Sequence, residues 1–334
     1  MYTFEILKTI NTISVKNHNT RLTPTKKPAN VKKFKDTNSL IKHLNTAEWN
    51  PLSFSKEEYR KACLFFKYTN YYYFSVYRKQ LPRRENRKYK YSEAIVLYDF
   101  DQWLREEISK FTGTIEIMLR STLIRELGNK YDGKLEKAEL YLDPIIYNSR
   151  KSYLETLPFI EKRIDESKSE PVKHHRENKD YSIPIWVLMD ELTFGELCRF
   201  VESLDIEYRN YWLENAFTKE KQMKKKIFSW FRAAWYMRNT CAHYSRIYGR
   251  YFTVARPSYM TKERRIAGKS GDDNQDLFAN LLAFKHLISF NNINKRNRWN
   301  YFIAEVDKKI KSNPELILLD KMGFPENWRE ILFI

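Results

Sequence analysis

One short stretch of the chain combines the residue types that proton transfer at a phosphodiester requires. It is Arg238-Asn239-Thr240-Cys241-Ala242-His243, in which four residues separate the arginine from the histidine. Because histidine titrates near neutral pH, His243 can accept a proton from a nucleophile or give one to a leaving group. The guanidinium of Arg238 can neutralise charge that develops on a phosphate. Asn239, one turn before His243, can orient the imidazole, so these three residues form the predicted catalytic group.

A single helix from about residue 227 to residue 250 would position this group. At about 100° per residue, one helix edge carries a polar stripe. The stripe consists of Arg232, Asn239, His243, Arg246 and Arg250. The opposite side collects apolar residues for the core, namely Ile227, Trp230, Ala233, Ala234, Met237, Cys241, Tyr244 and Tyr248. We therefore expect the stripe to point away from the core, with the long side chain of Arg238 reaching it from about 100° away.

The longest helical signal lies earlier in the chain. Apolar residues recur at steps of mostly three and four between residues 100 and 127, which predicts a helix that spans a bundle. Its polar side carries two opposite-charge pairs at i,i+4, Asp101 with Arg105 and Glu116 with Arg120. Two roles are equally consistent with the position of Arg120: binding RNA at the site, or a purely structural role.

The other segments are also typical of helices. Ser55 is a predicted N-cap, and Thr193 with Glu196 predicts a capping box. The charged run 167–180 is predicted to be a surface loop, and helical periodicity returns between residues 277 and 310. No strand alternation with hairpin turns is visible, and only 8 glycines are available for tight turns. The predicted fold class is therefore all-α.

The predicted domain organisation is an arm followed by one domain. Residues 1–38 are polar and basic, and Pro24 and Pro28 interrupt any helix there, which indicates an N-terminal arm. Residues 39–334 hold the helical periods and are predicted to form a single domain. The last segment, from Pro314 onward, is apolar enough to dock against that domain.

The charge of the chain favours an anionic partner. Its 334 residues carry a formal net charge of +18, and a field of that sign attracts polyanions. The cations cluster in one loop with Tyr89 and Tyr91 between them, a combination that suits single-stranded nucleic acid. These loop cations are Arg83, Arg84, Arg87, Lys88 and Lys90. A second basic segment, residues 256–269, contains Arg264 and Arg265. A merely soluble basic surface is the simpler alternative.

Several classes of protein are disfavoured by composition. No window approaches 18 uncharged apolar residues, and no secretory signal is visible at the start, so we expect a cytoplasmic protein without a membrane partner. The three cysteines are widely spaced and lie in apolar helical patterns, which indicates reduced core residues. The adjacent His174 and His175 do not share a face and lack partners with zinc-ligand spacing. No metal and no cofactor are therefore expected.

Ordered sequence blocks carry a resemblance to a known family. The blocks are Lys27-Pro28-Ala29, Tyr71-Tyr72-Tyr73-Phe74-Ser75-Val76-Tyr77, Leu97-Tyr98-Asp99-Phe100-Asp101, Ile115-Glu116 with Leu119-Arg120, Thr193-Phe194-Gly195-Glu196-Leu197, Arg238-Asn239 with Cys241-Ala242-His243-Tyr244-Ser245-Arg246, and Met322-Gly323-Phe324-Pro325-Glu326-Asn327-Trp328. Over about residues 27–330 the chain resembles the Abi-like (AbiD/AbiF-type) abortive-infection proteins of bacteria. The helical core of that family belongs to the HEPN group.

This resemblance implies a fold and an activity. It implies a HEPN-type helical bundle with helical and loop elaborations, a role in phage defence, and an associated non-coding RNA as a further partner. HEPN ribonucleases carry an arginine and a histidine separated by four to six residues, which Arg238 and His243 satisfy. Toxins of the adenylylated HEPN type add a tyrosine two places after the histidine, where this chain has Ser245. That departure argues against regulation by adenylylation.

Together these observations predict a metal-independent endoribonuclease. The RNA 2′-hydroxyl would be the nucleophile, so DNA would bind without being cut. HEPN sites usually form where two motifs face each other, and this chain has one motif, so we expect a homodimer. Two alternatives stay open: a non-cleaving protein that binds structured RNA, and a helical protein-interaction module. In the simplest alternative, His243 is an ordinary surface histidine and the arginines solvate one helix face.

Overall fold

The computed structural model describes residues 34–84, 87–271 and 273–334. Most of the predicted N-terminal arm, residues 1–33, lies outside the described residues, and the first helix begins at Thr37, just before the predicted end of the arm. The α-helices are α1 (Thr37–Asn45), α2 (Lys56–Tyr68), α3 (Tyr71–Gln80), α4 (Tyr91–Lys130), α5 (Arg150–Glu166), α6 (Glu170–Asn178), α7 (Ile185–Glu191), α8 (Phe194–Ser203), α9 (Ile206–Ala216), α10 (Lys221–Ala242), α11 (Thr261–Ile266), α12 (Leu277–Ser289), α13 (Ile293–Ser312) and α14 (Trp328–Leu332).

Very little of the described chain is extended. Two strands, β1 (Leu52–Ser53) and β2 (Tyr89–Lys90), form one short parallel pair. Short 3₁₀ turns connect some of the helices, at Lys137–Leu142, Pro144–Ile146 and Asp320–Met322. The predicted all-α class is therefore confirmed.

The central element is α4, which is 40 residues long. Its buried side chains recur along the predicted apolar periodicity, from Leu104 through Ile115 to Leu127. Helices α3, α7, α9, α10 and α12 all pack against it. A helix of that length runs about 60 Å at 1.5 Å per residue, so it spans the whole bundle as the sequence predicts.

Helix α10 lies between α4 and α12. Its apolar side matches the prediction up to Cys241, since Ile227, Trp230, Met237 and Cys241 are all buried. Both neighbours are themselves rich in buried apolar residues, and α12 is buried along almost its whole length. The core therefore fixes the direction in which α10 presents its polar side.

Two helix starts follow the predicted caps. The Ser55 hydroxyl accepts the Glu58 backbone N–H, and the Glu58 carboxylate accepts the Ser55 N–H. Thr193 and Glu196 form the same reciprocal pair at the start of α8. Each N-cap of this kind stabilises its helix by about 1 kcal/mol.

Two segments predicted to be loops contain helices. Within 167–180 the chain forms α6, whose N-cap Ser169 accepts the Val172 N–H while Pro171 occupies the first turn. Within 256–269 it forms α11, a helix of six residues. Both segments are strongly charged, and a helix whose polar faces are mostly solvated shows little apolar periodicity. The loop prediction was therefore wrong for residues 170–178 and 261–266.

The C-terminal segment docks as predicted. Trp328 and Leu332 are buried, and the Trp299 indole N–H donates to the Leu332 carbonyl at 2.7 Å. Cys198 and Cys241 are buried and Cys63 is half-buried, all three as free thiols. Within the described ranges, no helix has both the length and the apolar character needed to cross a membrane.

Candidate active site

The end of α10 builds the site. The helix ends at Ala242, and His243 caps it with its backbone N–H bonded to the Asn239 carbonyl at 3.0 Å. The next two N–H groups turn back in a Schellman motif, Tyr244 N–H to Cys241 O and Ser245 N–H to Thr240 O, both at 3.0 Å. The prediction that one helix continues to residue 250 was therefore wrong.

Tyr244 holds a backbone conformation that side chains rarely adopt. Its φ is +51°, the left-handed region, at the position of a Schellman motif where glycine is usual. A side chain in this region costs about 1–2 kcal/mol. Its ring is 71% exposed instead of lying on the predicted apolar face. An exposed aromatic side chain kept at a strained position next to His243 indicates a role at the site.

Substituting glycine at this position should stabilise the protein. Tyr244→Gly is expected to raise the free energy of unfolding by about 1 kcal/mol, because glycine adopts the left-handed region without strain. Denaturant unfolding followed by circular dichroism measures this change. Tyr244→Ala, which keeps the strain, serves as the control and should not stabilise. A Tyr244→Gly protein less stable than the wild type would contradict this reading of the turn.

A buried carboxylate fixes the segment that follows His243. Asp101 on α4 is fully buried, and its Oδ1 accepts the backbone N–H groups of Ile247 and Tyr248 at 2.9 and 2.6 Å. Its Oδ2 accepts the Tyr77 hydroxyl at 2.6 Å and forms an ion pair with Arg105. The pair Asp101–Arg105 thus exists as predicted, but it lies in the core instead of on a solvated side of α4.

Arg246 and Arg250 do not extend the polar stripe. The Arg246 guanidinium donates to the Tyr248 carbonyl, and burial lowers its pKa although Asp101 acts in the opposite direction. The exposed Arg250 lies over the Phe252 ring, with its guanidinium 5.7 Å from the ring centroid. Both residues were predicted on a continued helix, and the turn at Tyr244 removes them from it. Their predicted contacts with RNA stay predictions.

The predicted catalytic residues lie at the solvent side of the helix end. Arg238 and His243 are exposed and Asn239 is half-buried. The Arg238 guanidinium donates to the Asn239 Oδ1 at 3.2 Å, and the Asn239 carbonyl accepts the His243 N–H. The first of these contacts joins two side chains, whereas the second is the backbone bond that closes the helix and leaves the His243 imidazole exposed to solvent.

Arg238 and Asn239 also line a hollow of about 450 Å³ between α10 and the start of α8. Gly195 lets the two helices approach, since a Cβ added there would lie 2.7 Å from the Trp235 ring. Two blocks distant in sequence, around residues 193–197 and 238–243, are thereby brought together.

The same hollow contains a cation that the sequence analysis missed. Arg199 is exposed, lines the hollow, and has its guanidinium 5.1 Å from the centroid of the Phe159 ring. Glu196 also lines this hollow. Burial alone would raise the pKa of its carboxyl, but hydrogen bonds from Thr193 and Arg163 have the larger combined effect and hold the pKa below its ordinary value. Arg199 lies one turn after Gly195 and two residues beyond the block Thr193–Leu197, a spacing that could have identified it.

Two other predicted RNA-binding residues have protein partners. Arg232 lies 3.6 Å from Glu202, and both side chains are about half exposed. Arg120 forms an ion pair with Glu116 at 2.7 Å and donates to the Leu192 carbonyl at 2.9 Å. Since Leu192 directly precedes the cap of α8, Arg120 holds the hollow's wall in place. The sequence left RNA binding and a structural role open for Arg120, and these contacts are those of a structural residue.

The cationic loop at 83–90 has one largely buried cation and four exposed ones, of which Lys88 donates to the Asn45 carbonyl at 2.8 Å. Arg84 is largely buried, pairs with Glu93 at 2.8 Å and Glu315 at 3.2 Å, and packs over the Tyr89 ring. Tyr89 and Tyr91 are buried, so the expected stacking by these rings on nucleic acid was wrong. The exposed cations of the loop are Arg83, Arg87, Lys88 and Lys90.

The exposed aromatic residue beside this loop is Trp49. Trp49 is 46% exposed, and the Arg83 guanidinium lies 5.4 Å from its ring centroid. Arg83, Arg87 and Lys88 line a hollow of about 490 Å³ with Trp49. In the second basic segment, Arg264 and Arg265 are exposed on α11. The first of these surfaces keeps the combination of cation and ring that the sequence predicted, with Trp49 in place of the tyrosines.

The thiol nearest to His243 in the chain is not suited to act as a nucleophile. Burial raises the pKa of the Cys241 thiol to about 12, so the thiol beside His243 stays protonated at neutral pH. Over the described residues, no group of three or more histidine, cysteine, aspartate or glutamate side chains is arranged to hold a metal ion. His174 and His175 lie on α6, each next to the other's ring at 5.6 Å.

Fold and site together define an all-α protein with an exposed arginine–histidine pair at the end of a core helix. The family model described as Abi-like protein matches residues 65–249, more than half of the chain. The chain therefore belongs to the Abi-like family, and this membership suggests a role in abortive infection. No curated protein and no solved structure matches it. The matched segment includes α4, α8 and α10, which carry the site described above.

Proposed function

We propose that this protein is a metal-independent endoribonuclease of bacterial anti-phage defence, with a HEPN-type site. The observation that carries the proposal is the end of α10. There Arg238 and His243 are both exposed at one helix end, Arg238 donates to the Asn239 side chain, and the chain beyond them is held by the buried Asp101. Catalysis depends on placing the reacting groups in a defined geometry, and this anchored backbone supports such a placement.

The reaction uses the RNA's own 2′-hydroxyl. Its oxygen attacks the adjacent phosphorus, the bond to the 5′-oxygen breaks, and the products are a 2′,3′-cyclic phosphate and a 5′-hydroxyl. His243 takes the proton of the 2′-hydroxyl or supplies one to the leaving oxygen. Arg238 neutralises the charge on the phosphorane through its N–H donors. The second proton transfer falls to a facing copy of His243 in a homodimer.

Such a dimer is directly measurable. Facing copies of residues 238–246 would bring two His243 side chains into one cleft. Light scattering at micromolar concentration is expected to give twice the mass of the 40.6 kDa chain. A protein that stays monomeric with and without RNA would remove the composite site.

Binding to RNA should be strongly salt-dependent. The exposed loop cations Arg83, Arg87, Lys88 and Lys90 supply about four phosphate contacts, each of which releases counterions. For single strands this number predicts an affinity loss of about fiftyfold between about 50 and about 200 mM salt. Fluorescence anisotropy with a labelled RNA measures it. An affinity that is flat over this range would contradict binding through phosphates.

A non-cleaving RNA-binding protein is the second candidate. It is favoured by the hollow at Trp49, Arg83, Arg87 and Lys88, whose lining does not include the residues of the α10 end. A structured or non-coding RNA held there would need no chemistry from His243. Recovering the protein from cells and sequencing the RNA that accompanies it tests both candidates. Recovery of protein partners with no enriched RNA would instead support an interaction module.

A further inference from the structure

A second hollow lies on the other side of the α10 end, between that end and α4. Its volume is about 300 Å³, the lower end of the range of small-ligand sites. Its lining consists of Gln102, Arg105, Glu106, Ser109, Cys241, Ala242 and Tyr244. His243 does not line the hollow itself, but two of its lining residues, Ala242 and Tyr244, flank His243 in the chain, so the hollow adjoins the backbone of the proposed catalytic histidine.

One wall of the hollow is aromatic. Tyr244 keeps its strained left-handed backbone and an exposed ring, although glycine would satisfy the Schellman turn. Exposed rings beside cationic surfaces stack on the bases of single-stranded nucleic acid. The strain is therefore explained if the ring is retained to bind a base.

The hollow also has an unsatisfied buried donor. Arg105 is 6% exposed, and its Nε has no hydrogen-bond partner among the residues that the structure describes. One of its two terminal nitrogens, Nη1, donates to the Tyr77 hydroxyl and pairs with Asp101. A buried N–H without a partner is costly, and an acceptor on a bound ligand would satisfy it.

The acidic residue of the hollow, Glu106, offers acceptors to a ligand. The Gln102 amide donates to Glu106 Oε1 at 3.0 Å, which leaves a second lone pair on that oxygen and both lone pairs on Oε2. A carboxylate only accepts hydrogen bonds and repels phosphate, so Glu106 is suited to the N–H groups of a base. Guanine presents two neighbouring N–H donors, at N1 and N2, which match the two oxygens of a carboxylate.

We propose that this hollow binds a guanine base of single-stranded RNA beside the scissile phosphate, with the base stacked on Tyr244 and hydrogen-bonded by Glu106. The proposal rests on the proposed ribonuclease function, for which it supplies the base preference. It also gives Glu106, an acidic residue in a chain whose net charge is +18, a function in binding RNA.

Binding of short 2′-O-methyl RNA strands tests the proposal, because these strands cannot be cleaved. Strands that differ only in their central base are compared at one salt concentration. The wild type should bind the guanine strand about tenfold more tightly than the adenine strand. Glu106→Gln should lose that preference. Tyr244→Gly should bind every strand about tenfold more weakly, since stacking depends little on the base.

The matched control is Glu107→Gln. It makes the same charge change on the same helix at a residue outside the hollow that pairs with Lys110, and it should keep the guanine preference. If Glu106→Gln and Glu107→Gln strengthen binding to every strand alike, or the wild type shows no preference, the guanine site is wrong and RNA binding stands. If no strand binds, the proposed function is lost as well. Guanosine monophosphate binding as tightly as the strand would overturn the assignment to RNA.

Discussion

Replacing Asp101 by alanine is expected to lower the free energy of unfolding by about 3–5 kcal/mol, the largest stability effect we anticipate for a single polar residue. The substitution leaves the Arg105 guanidinium buried without its counter-charge. It also leaves the backbone N–H groups of Ile247 and Tyr248 without an acceptor. Each unsatisfied buried donor adds a desolvation cost of its own.

Urea unfolding of the wild type, Asp101→Ala and Glu107→Ala measures this effect. Glu107 lies on the same helix and forms an ion pair with Lys110, but both side chains are partly exposed. Its loss should therefore cost at most about 1 kcal/mol. If Asp101→Ala were no more destabilising than Glu107→Ala, Asp101 would not anchor the segment after His243.

His243→Ala and Arg238→Ala should each lower the rate of RNA cleavage by about 10²–10⁴, the range for loss of a proton-transfer group or of a transition-state donor. The double variant should lose little more, because residues that act on one transition state are not additive. Both side chains are exposed, so stability should change by less than about 0.5 kcal/mol.

The controls for these variants remove the same kinds of side chain elsewhere. His174→Ala removes an exposed histidine of α6, and Lys225→Ala removes an exposed cation near the start of α10. Both controls should cleave at nearly the wild-type rate. A His243→Ala protein that cleaves as fast as the His174→Ala protein would place the active site elsewhere.

The helices with a strong apolar period were predictable from sequence. Residues 100–127 of α4 and the buried side of α10 follow directly from the spacing of their apolar residues, whereas the first nine residues of α4 were not predicted. The caps at Ser55 and Thr193 were predictable because their partners lie three residues away. In each case the interaction that fixes the structure is local, so the sequence contains it.

The end of α10 was not predictable by the same means. A Schellman turn usually has glycine at the left-handed position, and the nearest glycine after the helix is Gly249. The sequence therefore suggested a helix end at residue 250, eight residues beyond Ala242. What stops the helix at Ala242 is a strained Tyr244 together with contacts from Asp101, more than 140 residues earlier.

The burial of Asp101 and Arg105 was hidden for a related reason. An opposite-charge pair at i,i+4 has the same sequence pattern on a solvated helix face and in a core. The acceptor sites of Asp101 are filled by Tyr77 and by the backbone at Ile247 and Tyr248. Those contacts exist only once α3, α4 and the end of α10 are packed together.

End-group analysis of RNA incubated with the wild-type protein in EDTA distinguishes cleavage by the 2′-hydroxyl from metal-dependent hydrolysis. We expect fragments that end in a 2′,3′-cyclic phosphate or its hydrolysis product, with a 5′-hydroxyl on the downstream fragment. Cleavage at a given site should stop when that nucleotide carries a 2′-deoxyribose. Cleavage that requires a divalent metal, or that proceeds without the 2′-hydroxyl, would contradict the assignment of Arg238 and His243 as the catalytic pair.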